Sequence, residues 1–106
     1  SQKRRWIAFA TNITGQLVVN DGAKRAVIEQ NKSLLPIGIL KINGTFDCGD
    51  VVSVLDENNI EFARGIANYS SEESRKIIGQ HSDNIYSLLG HKNYDAVITK
   101  DNIALI

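Results

Sequence analysis

The chain has 106 residues, 42% of them hydrophobic and 23% charged, with equal numbers of acids and bases, one Pro and no Met. That is the length of one domain with an ordinary core, so a disordered chain is excluded. No apolar run approaches the ~20 residues of a membrane span, no signal-peptide pattern opens the chain, and the lone Cys48 excludes an internal disulfide. These features fit a cytoplasmic setting, and the missing initiator Met fits a fragment or a processed chain.

The zero balance hides an asymmetry. Residues 1–32 carry Lys3, Arg4, Arg5, Lys24, Arg25 and Lys32 against Asp21 and Glu29. Residues 33–74 carry Lys41 and Arg64 against seven acids. The pI of about 6.7 lies well below that of a dedicated nucleic-acid binder, typically above about 9. A local basic face is still compatible with it, and Lys3-Arg4-Arg5 reads as a solvated terminal arm.

In chain order, Trp6-Ile7-Ala8-Phe9-Ala10 is short, apolar and aromatic, which predicts a buried strand. Gln16 to Asn20 predicts a second strand. From Ala23 the apolar period becomes helical, giving a helix over about 22–30 with Asp21 as N-cap and Asn31 as its stop. Pro36 breaks the chain, Ile37–Ile42 predicts a strand, and Asn43-Gly44 a turn. Val51–Leu55 and Ile60–Ala67 predict a hairpin around Glu57-Asn58-Asn59, with Gly65 marking a bulge or the close approach of another backbone. Short strands joined by tight turns favour a small, curled, antiparallel sheet.

The last third differs. Ser70-Ser71-Glu72-Glu73-Ser74 is a helix-start signature, with Arg75 and Lys76 towards its end and Gly79 as its stop. A second short helix runs from Ser82-Asp83 to Leu89 and closes at Gly90. Ala96–Ile98 and Ile103–Ile106 predict two short strands around Lys100-Asp101-Asn102.

Few residues suggest chemistry. His81 and His91 are ten positions apart without a cysteine partner, unlike the closely spaced ligands of a zinc site. Cys48 sits between Asp47 and Asp50, whose charges disfavour a nucleophilic role. The glycines form neither a P-loop nor a dinucleotide fingerprint, so the chain carries no self-contained catalytic constellation and no metal site. The strongest local feature is the strand-to-helix turn Asp21-Gly22-Ala23 with Lys24 and Arg25. It puts backbone N–H groups and two cations at a helix start, a pattern suited to phosphate. Asp21 would itself oppose an anion, and capping, turning and packing explain the same three residues without one.

The runs Leu17–Ala23, Lys32–Ile39, Phe46–Val52 and Ala63–Ser71 together resemble a PUA domain. The flanks (Lys3–Phe9, Asn68–Glu73, Leu89-Gly90, Tyr94-Asp95 and Asp101-Asn102) are similar to the C-terminal domain of bacterial glutamate 5-kinases. The resemblance implies a mainly β, PUA-like pseudo-barrel of short, mostly antiparallel strands. Its core would span about 6–75, and two helices and two short strands would form a C-terminal extension over 76–106, all in one domain. It also implies an accessory domain, regulatory or concerned with assembly, of a kinase that phosphorylates the glutamate side-chain carboxylate in proline biosynthesis. ATP and Mg²⁺ would be cofactors of a separate N-terminal kinase domain, absent here, with none in this fragment, which would not be catalytic by itself. The implied partners are that kinase domain and, in an assembly, further copies of the chain, with no membrane. RNA is the alternative, not favoured because cations are few. A groove for RNA or another anion would comprise Asp21, Gly22, Ala23, Lys24, Arg25, Gly38 and Arg64.

Overall fold

The computed structural model describes all residues from Ser1 to Ile106. Five strands form one mixed sheet: β1 (Gly15–Val19), β2 (Ile39–Gly44), β3 (Val51–Leu55), β4 (Glu61–Ile66) and β5 (Ile103–Leu105). Their order across the sheet is β2-β1-β3-β4-β5. Three pairings are antiparallel, as expected, but β1 and β3 run parallel, with Leu17 opposite Val54. A parallel pair needs a long crossover, supplied here by helix α2 (Asp21–Gln30) and then β2. Central β1 and β3 are covered on both faces, so Leu17, Val18 and Val19, and likewise Val52 to Leu55, are consecutively buried.

The sheet curls because its two edges are tied. Leu34, which leads into β2, bridges Ile98, which leads into β5, and exchanges backbone hydrogen bonds with Val97 and Ile98. The mainly β pseudo-barrel expected from the sequence is therefore present. Ala96–Ile98 is no strand, however. Its backbone groups are shared between Leu34 on one side and Asn68 on the other, leaving no ladder to extend. Residues 82–89 also divide, into a 3₁₀ turn (Ser82–Asn84) and helix α4 (Ile85–Leu89), closed by Gly90 at φ +81°.

The largest departure is at the start. Trp6–Ala10 is not a strand. Gln2–Ala8 forms helix α1, capped by the Ser1 hydroxyl, which accepts from the Arg4 N–H. A five-residue apolar run cannot separate a strand from a helical turn, and only Ile7 is buried, whereas Trp6 is 83% and Phe9 79% exposed. The basic arm is not free either: Lys3 Nζ donates to Asn102 Oδ1 at 3.1 Å.

The C-terminal third shares the core. Ile77, Ile85, Val97, Ile98 and Ile103 pack in one cluster with Leu17, Val52, Val54 and Tyr69. Helix α3 (Ser71–Ile77) starts at the Ser70 cap, as its sequence requires. Tyr69 is fully buried, and its hydroxyl donates to the Tyr94 carbonyl at 2.6 Å and accepts from the Tyr94 N–H. Gly65 is the close approach its position suggests, since a Cβ there would lie 2.6 Å from Ile98 Cγ2 and 3.0 Å from the Asn102 carbonyl. Gly65→Ala is accordingly expected to cost about 1–3 kcal/mol through overpacking. Urea denaturation would read this as a lower midpoint with an unchanged slope.

Candidate functional site

The candidate groove begins at the first turn of α2. Its cap is Asn20, not Asp21: Asn20 Oδ1 accepts from the Ala23 N–H at 2.8 Å, and Asp21 is the first helical residue. From one position further on, the Asp21 side chain is no longer placed to cap that turn, where its charge still suits the helix dipole. Asn31 ends the helix in the left-handed conformation, as expected of that residue. Gly38 lies against this turn. Its carbonyl accepts from the Asn20 N–H at 2.9 Å, and a Cβ on it would meet Ala23 Cβ at 2.6 Å.

Ala23 and Gly38 meet in a depression they share with Asn20, Lys32, Leu35 and Ile37. Leu35 and Ile37 are exposed, and Lys32 is its only cation. Asp21 and Gly22 stand in solvent at the helix start. There the Asp21 N–H already faces Glu57 Oε2 at 3.3 Å, so a carboxylate of the protein itself lies where an anion would bind.

The nominated cations do not converge on this depression. Lys24 Nζ lies 2.9 Å from Asp56 Oδ2 and 5.6 Å from the centre of the Phe62 ring. Asp56 is buried at the tip of the β3–β4 hairpin, where its Oδ1 accepts from the N–H groups of Asn58 and Ile60. The Lys24 hydrogen bond first, and these N–H groups after it, hold the Asp56 carboxyl below its usual range against the opposing effect of burial. Arg64 is bidentate to Glu61, with Nε–Oε2 2.9 Å and Nη2–Oε1 3.2 Å. Its Nη1 donates to the carbonyls of Ala8 and Ala10 at 2.8 and 3.1 Å. Arg64 likewise holds the Glu61 carboxyl below its usual range. Arg25 is exposed and makes no ion pair.

A second cleft, of about 400 Å³, gathers cations that sequence reasoning did not group. Arg4, Arg5, Lys32 and Lys100 line it together with Phe9, Ile28, Leu105 and other residues of α1, α2 and β5, and no carboxylate does. Reading residues 2–8 as a helix would have found half of it, because positions four apart, Arg4 with Ala8 and Arg5 with Phe9, then share a face. Lys100 had no such signal. The histidines have local partners: His81 Nδ1 accepts from the Asp83 N–H, and His91 Nε2 sits 2.5 Å from Glu73 Oε2. Cys48 is exposed in its turn.

The pairing of Asp56 fixes a pH dependence. Its folded carboxyl titrates below the unfolded one, so its stabilisation is complete above about pH 4 and is lost as pH falls through the lowered folded value. Asp56→Asn is expected to lower the thermal midpoint by several degrees at pH 7. The difference from the unmodified protein should shrink steadily as pH falls below about 4, which thermal melts over a descending pH series would check.

Comparisons with known proteins agree with this geometry. The PUA domain family model matches residues 15–89. Over all 106 residues the chain is 47% identical to a glutamate 5-kinase of Caldanaerobacter subterraneus subsp. tengcongensis and 45% identical to one of Thermoanaerobacter sp. (strain X514). It is 42% identical to that of Syntrophus aciditrophicus. The similarity falls on their C-terminal regions, and the chain spans 28% of the length of each. A PUA domain protein of Aeropyrum pernix K1, solved as a tartrate complex, superposes with a TM-score of 0.60 at 23% identity, covering 89% of this chain and 46% of that one. A conserved PUA domain protein of Thermoplasma acidophilum gives 0.55 at 18% identity over 79% of this chain and 46% of its own. With the five-stranded curled sheet and the family match over most of its length, this chain belongs to the PUA domain family.

Proposed function

We propose that this chain is the C-terminal PUA domain of a glutamate 5-kinase and acts as an accessory to the phosphotransfer site, in regulation or assembly, without contributing to the chemistry. The observation that carries the reading is identity of 42–47% over the whole chain to the C-terminal regions of such kinases. ATP and Mg²⁺ belong, on this reading, to the region that precedes this domain in those relatives. Asp56, Glu61 and Glu73 are each paired with Lys24, Arg64 or His91 of the same domain, so these three carboxylates are not free to hold magnesium.

The same ion pairs weigh against RNA at the Asp21–Gly38 groove. Lys24 and Arg64 would have to leave low-exposure partners to reach a phosphate, and Lys32 alone supplies charge there. The test has two arms. Purified residues 1–106 are expected to show no glutamate-dependent ATP turnover, while the full-length protein turns over. Turnover by the domain alone would overturn the accessory reading. Titration with mixed structured RNA is expected to show no binding even at low salt. Micromolar affinity that falls steeply as salt rises would instead favour the RNA module.

A further inference from the structure

The cleft between α1, α2 and β5 has the make-up of a protein interface. Its cations, Arg4, Arg5, Lys32 and Lys100, make no ion pair; Arg4 reaches only the Lys100 carbonyl, at 3.4 Å. Among them stand Phe9, Ile28 and Leu105, 79%, 43% and 52% exposed. Exposed apolar side chains rimmed by charge mark interaction surfaces, and aromatic and arginine anchors dominate the energetics of such contacts.

We propose that this cleft is the docking surface for the region that precedes the domain in glutamate 5-kinases, and that it receives an acidic surface carrying an apolar anchor. The inference rests on the accessory reading above. Two observations choose this occupant. Ser1 itself lines the cleft, and in the relatives the greater part of the protein lies ahead of the matched segment, so the preceding region is tethered at the rim. A short tether gives an effective concentration of about a millimolar, enough to hold a contact too weak to form between separate molecules. The second is the pairing of four cations with an apolar wall. The cations call for carboxylates or phosphates, but a nucleic-acid backbone would leave Ile28 and Leu105 uncovered, whereas a protein surface covers both.

Hydrogen exchange tests this in the full-length protein and in residues 1–106. Amides of Arg5–Phe9 and Ile103–Leu105 are expected to exchange at least tenfold more slowly in the full-length protein. That protection should be lost in a full-length Arg5→Glu/Phe9→Asp variant whose β1–β4 amides remain as protected as before. Equal rates in the two forms overturn the proposal, as does protection that appears in residues 1–106 with rising concentration, which would mean a second copy. Protection of residues 1–106 by added RNA, lost in Arg5→Glu/Lys32→Glu, overturns it as well. Glutamate kinase activity of the same full-length preparation keeps the two readings apart. Activity with equal exchange rates removes the docking surface alone; an inactive preparation removes the accessory reading with it.

Discussion

The fold depends on how Arg64 is held. This guanidinium rises from β4, with its side chain 22% exposed, into a setting where an unpaired charge would be costly. Four of its five N–H groups are paired: one edge with Glu61, the other with the carbonyls of Ala8 and Ala10. Those carbonyls lie at the end of α1, where a helix leaves acceptors without internal partners and its dipole favours a cation. One residue therefore neutralises a carboxylate, closes a helix and fastens the N-terminal segment to the sheet. It also sets what α1 turns outward: with Ile7 inside, Trp6 and Phe9 are left in solvent.

The groove beside α2 follows the same economy. Lys24 joins the helix to the β3–β4 hairpin through Asp56, and Glu57 faces the helix start. Gly38 lets the β2 entry approach Ala23 more closely than a side chain would allow. What is left there for a ligand is mostly apolar. Unpaired charge lies instead across α2, where Lys32 borders both the groove and the cleft under α1.

Much of this was legible in the sequence, and the parts that were not share a cause. Helix α2, the β3–β4 hairpin, the Ser70 start of α3 and the Gly90 stop are local matters of cap, turn and period, and were read directly. So was Gly65, because a glycine inside a strand pattern has few explanations. Three things are decided by distant partners. The parallel β1–β3 pair joins segments that are not neighbours in sequence. Ala96–Ile98 finds Leu34 and Asn68 in place of a strand to pair with. Residues 2–8 form a helix whose end is received by Arg64, more than fifty positions away. The candidate site was half legible for the same reason. Residue types at Asp21–Arg25, Gly38 and Arg64 suggested an anion groove, but nothing local reveals that Asp56, 32 positions from Lys24, already holds that cation, or that the distant Ala8 and Ala10 carbonyls join Glu61 in holding Arg64.

The most direct test is the state of the Arg64 side chain in solution, observed by NMR on residues 1–106 with nitrogen-labelled arginine. If Arg64 fastens α1, its Nε–H exchanges far more slowly with water than that of exposed Arg25, and its guanidinium shows contacts to Ala8 and Ala10. An Arg64 Nε–H exchanging as fast as that of Arg25, with residues 2–8 at random-coil shifts, would contradict the account. It would return Arg64 to the pool of cations free to meet a ligand.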